Sequence, residues 1–140
     1  MEFGLFVQGY IPGPNAHDPE HEHVALMGLE MMGFARTNLD AIWIDPVEYQ
    51  AQLAKAVHLL AQHGFNLSIC NHQLCTLPEE LWPYARKSFS DWKNEYLDVC
   101  TPCAVRSQCG GFFSSAAVRH SAHIRPVVGR PAIEDCLGVQ

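Results

Sequence analysis

Apolar and polar positions follow two periods along this chain and predict a strand, a helix and a second strand. Residues 24–29 are continuously apolar, as strands buried on both faces are. Residues 45–63 carry apolar residues at helical spacing, with Asp45 as a cap and Gly64 just beyond the end. Residues 65–70 alternate as a strand does. This order predicts a βαβ unit and hence a pair of parallel strands.

The segments on either side of this unit carry weaker signals. We predict that residues 1–22 are irregular, because glycine and proline interrupt every period. A second capped helix is expected to begin at Thr76 and to cover about 78–87, with one more helical turn over 90–96. Residues 127–140 are expected to form a tail with little core to join.

Composition places the chain among globular proteins. It has 140 residues, of which 48% are hydrophobic and 17% charged, so one domain with a real core is expected. The net charge of −6 offers no electrostatic footprint for nucleic acid or an anionic membrane, and neither is expected as a partner. No signal peptide or membrane-length apolar run is evident, so we expect a cytoplasmic protein.

Four of the six cysteines carry the strongest chemical signal. Cys100, Cys103 and Cys109 stand in a Cys-x2-Cys-x5-Cys pattern followed by two glycines, and Cys75 lies upstream. In a reducing compartment such cysteines are more often metal ligands, free thiols or core residues than disulfides. A Cys-x2-Cys turn lets two thiolates face one point, which suits zinc and an iron–sulfur cluster alike. The spacing leaves both open.

Other metal-binding candidates surround this pattern. Zinc could also recruit one of three histidines, which are His72, His120 and His123. The run 17–23 is rich in histidine and carboxylates, and it is either a metal site or a solvated loop. We expect Cys70 to pack in the core and Cys136 to remain a free thiol.

The predicted strand ends suggest where further functional groups collect. In parallel α/β sheets, active groups lie just past the carboxyl ends of the strands. Those positions hold Glu30 and Met31 after the first strand, and Asn71 and His72 after the second. All four are expected to share one rim with Cys75, although a surface glutamate and a loop-stabilising asparagine are equally ordinary roles.

Apolar residues near these groups have simpler expected roles. Met27, Met31 and Met32 are predicted to be core residues, and Phe112 and Phe113 to cover the cysteine loop.

Residues 23–126 resemble the C-terminal half of radical SAM peptide maturases of the His-Xaa-Ser system. The resemblance rests on these words: Met27-Gly28-Leu29-Glu30-Met31-Met32-Gly33, Trp43-Ile44-Asp45-Pro46-Val47-Glu48-Tyr49, Asn71-His72-Gln73-Leu74-Cys75, Leu81-Trp82-Pro83-Tyr84-Ala85-Arg86, Ser90-Asp91-Trp92-Lys93-Asn94-Glu95-Tyr96 and Cys100-x2-Cys103-x5-Cys109-Gly110-Gly111-Phe112-Phe113.

The resemblance implies an α/β fold, in which a fragment of a radical SAM (β/α) barrel is followed by a loop-rich extension with the cysteines. Residues 23–71 would form the partial barrel, and 72–126 would be similar to the SPASM and twitch domains that hold an auxiliary [4Fe–4S] cluster. By this likeness the cluster ligands are Cys75, Cys100, Cys103 and Cys109.

The chain also departs from this family. It contains no Cys-x3-Cys-x2-Cys, the pattern that binds the catalytic cluster of full family members. We therefore expect it not to cleave S-adenosylmethionine alone, unless a separate protein supplies the missing half-barrel. A precursor peptide is the other expected partner.

Two other outcomes stay open. One is a small zinc-stabilised interaction module without redox chemistry. The other is a poorly folding fragment, in which two strands leave apolar residues such as Val24, Leu26 and Leu67 exposed.

Overall fold

Three strands and three α-helices form the regular structure of the described chain. The computed structural model describes residues 6–10, 23–87 and 94–129. The elements are β1 (Phe6–Tyr10), β2 (His23–Met27), α1 (Phe34–Thr37), α2 (Leu39–Ile42), α3 (Gln50–Gln62) and β3 (Asn66–Cys70). None of the helices in these ranges has the length and apolar character that a membrane crossing requires.

The strands form one sheet in the order β1-β2-β3. β2 and β3 are parallel, with Val24 opposite Leu67 and Leu26 opposite Ile69. Because α3 connects these two strands, the predicted βαβ unit is confirmed. β1 runs antiparallel along the other edge of β2.

The prediction that the first 22 residues are irregular is wrong for β1. It treated Gly9 as a breaker, but a strand tolerates glycine where a neighbour supplies the backbone hydrogen bonds. Gly9 pairs with Val24 in the antiparallel register. Residues 1–5 and 11–22, including most of the histidine-rich run, lie outside the described residues.

One face of the parallel pair is covered by α3. Leu26 and Leu67 belong to a buried cluster that includes Leu53 and Val57 of the helix. The expectation of exposed strand residues is therefore wrong for Leu26 and Leu67, whereas Val24 is only partly buried. Periodic burial of α3 residues four apart follows from the 3.6-residue turn.

The residues that the sequence marked as helix-end signals lie at the two ends of the α3 region. The Asp45 carboxylate accepts a hydrogen bond from the Val47 amide at 3.1 Å, as a cap should. The first turn, Pro46–Glu48, is a 3₁₀ turn, and α3 follows it after Tyr49. At the other end Gly64 has φ 80°, the left-handed conformation expected just after a helix.

The predicted helix over 78–87 is wrong. Two 3₁₀ turns occupy this region, at Leu74–Thr76 and Glu79–Tyr84. Pro83 lies inside the second turn, where it supplies no N–H for an α-helical hydrogen bond. The Thr76 hydroxyl donates to the Gln73 carbonyl at 2.8 Å, so it does not cap a following helix.

The helical turn predicted over 90–96 is also wrong where the structure describes it. Glu95 forms an isolated antiparallel bridge with Phe112, and each amide donates to the other carbonyl at 2.7 Å. Residues 88–93 lie outside the described residues.

A single buried cluster extends across the predicted boundary between residues 71 and 72. Leu74, Trp82 and Val105 belong to the same cluster as Leu26 and Val57. The indole of Trp82 donates to the Leu74 carbonyl at 3.0 Å, which satisfies its buried N–H. The cysteine-rich region is therefore packed onto the βαβ unit and has no separate core among the described residues.

Two further predictions need correction. Val127 packs against this cluster, and its carbonyl accepts a hydrogen bond from the Ala104 amide at 2.8 Å, so the tail cannot begin there. Residues 130–140, with Cys136, lie outside the described residues. Met31 is buried as predicted and Met27 partly so, whereas Met32 is 62% exposed because it lies in the loop after β2.

We predict that truncating Leu53 lowers the free energy of unfolding far more than truncating Leu59, although both lie on α3. Leu53 is 3% exposed and Leu59 is 56% exposed. Leu53→Ala should cost about 2–5 kcal/mol, the range for a buried leucine that leaves a cavity. Leu59→Ala should stay within about 0.5 kcal/mol. Urea unfolding of both variants checks this, and equal losses would contradict the packing of α3.

Candidate cysteine site and adjoining cleft

Four cysteines line one small cavity. Cys75 belongs to the 3₁₀ turn that follows β3, and Cys100 ends another such turn. Cys103 and Cys109 follow in the next loop. The structure thus brings together the four cysteines that the sequence singled out.

Tight turns wrap the cysteine loop around the cavity. The Cys103 amide donates to the Cys100 carbonyl at 3.1 Å, and the Cys109 amide donates to the Val105 carbonyl at 3.0 Å. Between them Val105 is 1% exposed and inserts into the core. The loop is therefore held by an apolar anchor as well as by backbone hydrogen bonds.

Gly111 is required by the backbone geometry of the site. Its φ is 63°, and a Cβ there would lie 2.6 Å from the Glu95 carbonyl oxygen. That carbonyl is already fixed by the bridge with Phe112. The expectation that backbone passes closely after the last cysteine is confirmed at this glycine.

Backbone amides are directed at three of the four sulfurs. The Gly111 amide donates to the Cys109 sulfur at 3.5 Å, and the Val127 amide donates to the Cys103 sulfur at 3.4 Å. Burial raises the pKa of Cys75, and a backbone hydrogen bond from Arg125 to its sulfur partly opposes this. Such N–H···S bonds stabilise thiolates, and they occur in iron–sulfur and zinc sites.

The thiols are close enough to affect one another. Burial raises the pKa of Cys75 and also that of Cys109. The charges of Cys100 and Cys103 raise the pKa of both further, while backbone hydrogen bonds lower it. Each thiolate therefore disfavours ionisation of the others, and a bound cation would relieve this repulsion.

The charged residues that line the cavity are both basic. They are Arg106 and Arg125, and Arg106 also lies over the ring of Tyr96 at 4.8 Å from its centroid. The Tyr96 hydroxyl donates to the Cys109 carbonyl at 2.8 Å. Arg106 is thus held beside the cavity by its contact with the ring of Tyr96.

The cysteines surround a space and do not meet at one point. Among the described residues, no group of three or more His, Cys, Asp or Glu side chains forms a set that could hold a metal ion. Zinc binds four thiolates tetrahedrally at 2.3 Å, which places the sulfurs about 3.8 Å apart. A four-iron cluster holds its four thiolates farther apart, because each binds a different iron.

The other candidate ligands lie elsewhere. His72, His120 and His123 do not line the cysteine cavity. Cys70 lies at the end of β3, and its thiol is directed to the Ser68 hydroxyl at 3.8 Å. All five described cysteines are free thiols.

A second, larger cleft adjoins the cysteine cavity. It is open to solvent and lies past the carboxyl ends of β2 and β3. Glu30, Met31 and Asn71 line it, as the rim prediction expected, but His72 does not. Gln73 and Phe112 line both the cleft and the cavity, so these two side chains form a shared wall. Phe113, which was expected to cover the cysteine loop, lines only the cleft.

Sequence reasoning missed a buried hydrogen-bonded pair under the cleft. The His72 ring accepts or donates at two positions: Nδ1 lies 2.9 Å from the Cys70 carbonyl oxygen and Nε2 lies 3.0 Å from the Tyr49 hydroxyl. Burial lowers the pKa of His72. Burial and the charge of Asp45 raise the pKa of Tyr49 to about 12. The strand-end position of His72 was a usable signal, whereas nothing local marked Tyr49.

Asp45 has a second role that capping alone did not predict. Its carboxylate accepts hydrogen bonds from the Ser121 hydroxyl at 2.7 Å and the Ala122 amide at 3.2 Å. Burial opposes ionisation of Asp45, but the bonds from Ser121, Val47 and Ala122 outweigh it and hold the pKa below its usual value. This carboxylate ties one wall of the cleft, which includes Ser121, to the start of α3.

No protein-family model, curated protein or solved structure matches this chain. Its function is therefore inferred from the cysteine cavity, from the cleft and from the resemblance described above.

We predict that Gly111→Ala destabilises the fold more than Gly64→Ala does. Both glycines have positive φ, but a Cβ at Gly64 meets nothing within 4 Å. Gly64→Ala should cost about 1–2 kcal/mol from backbone conformation alone. Gly111→Ala adds the contact with the Glu95 carbonyl, and we expect at least about 1 kcal/mol more. Equal unfolding free energies for the two variants would show that the bridge at Glu95 does not constrain this loop.

Proposed function

We propose that this chain binds an auxiliary [4Fe–4S] cluster and is related to the radical SAM peptide maturases of the His-Xaa-Ser system. One observation carries the proposal: four cysteines line one cavity, and backbone amides are directed at their sulfurs. The proposed ligands are Cys75, Cys100, Cys103 and Cys109.

Two features favour a cluster over zinc. The cysteines enclose a cavity, and among the described residues they do not converge as ligands of a single ion. None of the three candidate histidines lines it. A zinc-stabilised module remains the competing outcome.

We propose that the bound cluster serves a peptide-modifying reaction. When bound, a [4Fe–4S] cluster supplies one-electron chemistry or an anchoring iron. The residues of this chain would hold the cluster and separate it from the adjoining cleft by the wall of Gln73 and Phe112. A group bound in the cleft would therefore lie one side chain away from the cavity.

The fold that we propose is a fragment of a radical SAM (β/α) barrel with a cysteine-rich extension. The parallel pair, the connecting α3 and the cleft at the carboxyl rim support it. The free cysteines are consistent with the cytoplasmic location that we propose.

Both edges of the parallel pair β2–β3 are hydrogen-bonded to other segments of the chain. This limits how a partner protein could pair with the sheet. β1 pairs along β2. On the other side the Arg86 amide donates to the Ile69 carbonyl at 2.9 Å, next to the bridge between Ile69 and Ala85. A separate half-barrel would have to displace one of these segments before its strands could pair. A precursor peptide in the open cleft needs no such displacement, so we favour the peptide as partner.

We predict that anaerobic reconstitution with iron and sulfide yields a brown protein with about four irons and four sulfides per chain. Cys103→Ser should abolish retention of the cluster, because it removes a ligand from the cavity wall. Two control variants, Cys70→Ser and Cys136→Ser, should retain it. Iron and sulfide analysis after desalting checks this. A colourless protein with one stoichiometric zinc, lost in Cys103→Ser, would refute the cluster.

We predict that the reconstituted chain alone does not cleave S-adenosylmethionine. It contains no Cys-x3-Cys-x2-Cys, so no iron with an open coordination position is expected to inject the electron. Incubation with dithionite and chromatography for 5′-deoxyadenosine measures this. Formation of that product above a cluster-free control would show that the proposed auxiliary cluster is itself catalytic.

A further inference from the structure

In the cleft beside the cysteine cavity, the contact with His72 fixes whether the Tyr49 hydroxyl donates or accepts a hydrogen bond. His72 Nδ1 lies 2.9 Å from the Cys70 carbonyl oxygen, which can only accept, so Nδ1 carries the proton. Nε2 of the buried neutral ring must then accept, and its partner is the Tyr49 hydroxyl at 3.0 Å. The Tyr49 hydroxyl therefore donates its only proton to His72. It can only accept a hydrogen bond from any further partner.

Two other groups that line the cleft are also acceptors. Asn71 has φ 61°, and its side-chain amino group donates to the Gly28 carbonyl at 3.3 Å, which leaves its carbonyl oxygen to accept. Glu30 is partly buried, and its carboxylate has no hydrogen-bond or ion-pair partner among the described residues. A cationic ligand would gain electrostatic energy by pairing with this partly buried carboxylate.

Two arginines line the cleft, and among the described residues only Arg119 has its charge compensated by a carboxylate. Arg119 is paired with Asp40 at 2.7 Å and lies over the ring of Trp43. One guanidinium nitrogen of Arg86 donates to the Pro83 and Ala85 carbonyls at 2.6 and 2.8 Å. Neither guanidinium is bonded to Glu30.

Part of the cleft wall is apolar and aromatic. This part is formed by Trp43, Ile44, Phe112 and Phe113. Aromatic faces attract ammonium groups and also pack against an apolar stem.

From these contacts we propose that the cleft binds a primary ammonium group on an apolar stem, held by the Glu30 carboxylate, the Tyr49 hydroxyl and the Asn71 carbonyl. His72 is a positioning residue, because it orients the Tyr49 hydroxyl without lining the cleft. This site goes beyond the proposed cluster and does not require it.

Three probes that share one aromatic ring test the proposed polarity. They are benzylammonium, benzyl alcohol and benzoate, added to the ¹⁵N-labelled full chain with and without reconstituted iron and sulfide. We expect benzylammonium to shift the amide resonances of Glu30 and Asn71 and to bind about ten-fold more tightly than benzyl alcohol. Benzoate should bind weakest. The proposal is overturned if benzoate binds best or if none of the probes shifts these resonances.

Variants locate the interaction. Glu30→Gln removes the charge with little change in shape and should weaken benzylammonium binding about ten-fold. Tyr49→Phe should weaken it as well. Glu48→Gln is the matched control, because Glu48 is exposed on the neighbouring 3₁₀ turn and does not line the cleft. It should leave binding unchanged.

The variants distinguish loss of the ammonium site from unfolding of the chain and from loss of the cluster. Tyr49→Phe leaves His72 Nε2 without a donor and can unfold the chain, in which case Glu30→Gln decides alone. Unchanged affinity in Glu30→Gln would overturn the site. Iron retention is measured on the same samples, so loss of ammonium binding with the cluster intact refutes only the cleft proposal, and the reverse refutes only the cluster.

Discussion

The apolar face of two parallel strands has to be covered, and the rest of the described structure follows from how this chain covers it. α3 supplies Leu53 and Val57, and the turns after β3 supply Leu74 and Trp82. The last contribution comes from Val105, which lies inside the cysteine loop. Because the loop shares this core, the same apolar packing that stabilises the βαβ unit also positions the cysteines.

At the rim of the sheet, backbone segments lie close together and the buried polar side chains are hydrogen-bonded. A Cβ at Gly28 would lie 2.7 Å from the Asn71 carbonyl oxygen, so the ends of β2 and β3 meet only because this residue is glycine. Just beyond, His72 and Tyr49 satisfy each other, and Asp45 accepts from Ser121. Buried polar groups of this kind are costly when unpaired and rigid when paired. Tyr49 and Ser121, which both line the cleft, are therefore held in fixed orientations.

Local sequence signals predicted the elements correctly where contacts between residues close in the chain determine the structure. The apolar run of β2, the spacing in α3 and Gly64 all concern residues within a few positions of each other, and the structure agrees with them. The errors occurred where neighbours in space decided the outcome. β1 is a strand because β2 pairs with it, and Glu95 is extended because Phe112 pairs with it. The turns around Pro83 satisfied a capping pattern but lacked the N–H groups for an α-helix.

The sequence by itself determined the βαβ unit and named the four cysteines, since residue type and spacing carry that information directly. Only the tertiary structure decided that these cysteines surround one cavity, that amides of Gly111 and Val127 point at their sulfurs, and that His72 lies elsewhere, bonded to Tyr49. The physical reason is distance along the chain. Cys75, Arg125 and Val127 meet because a shared core folds separate segments together, and no local pattern records which segments those are.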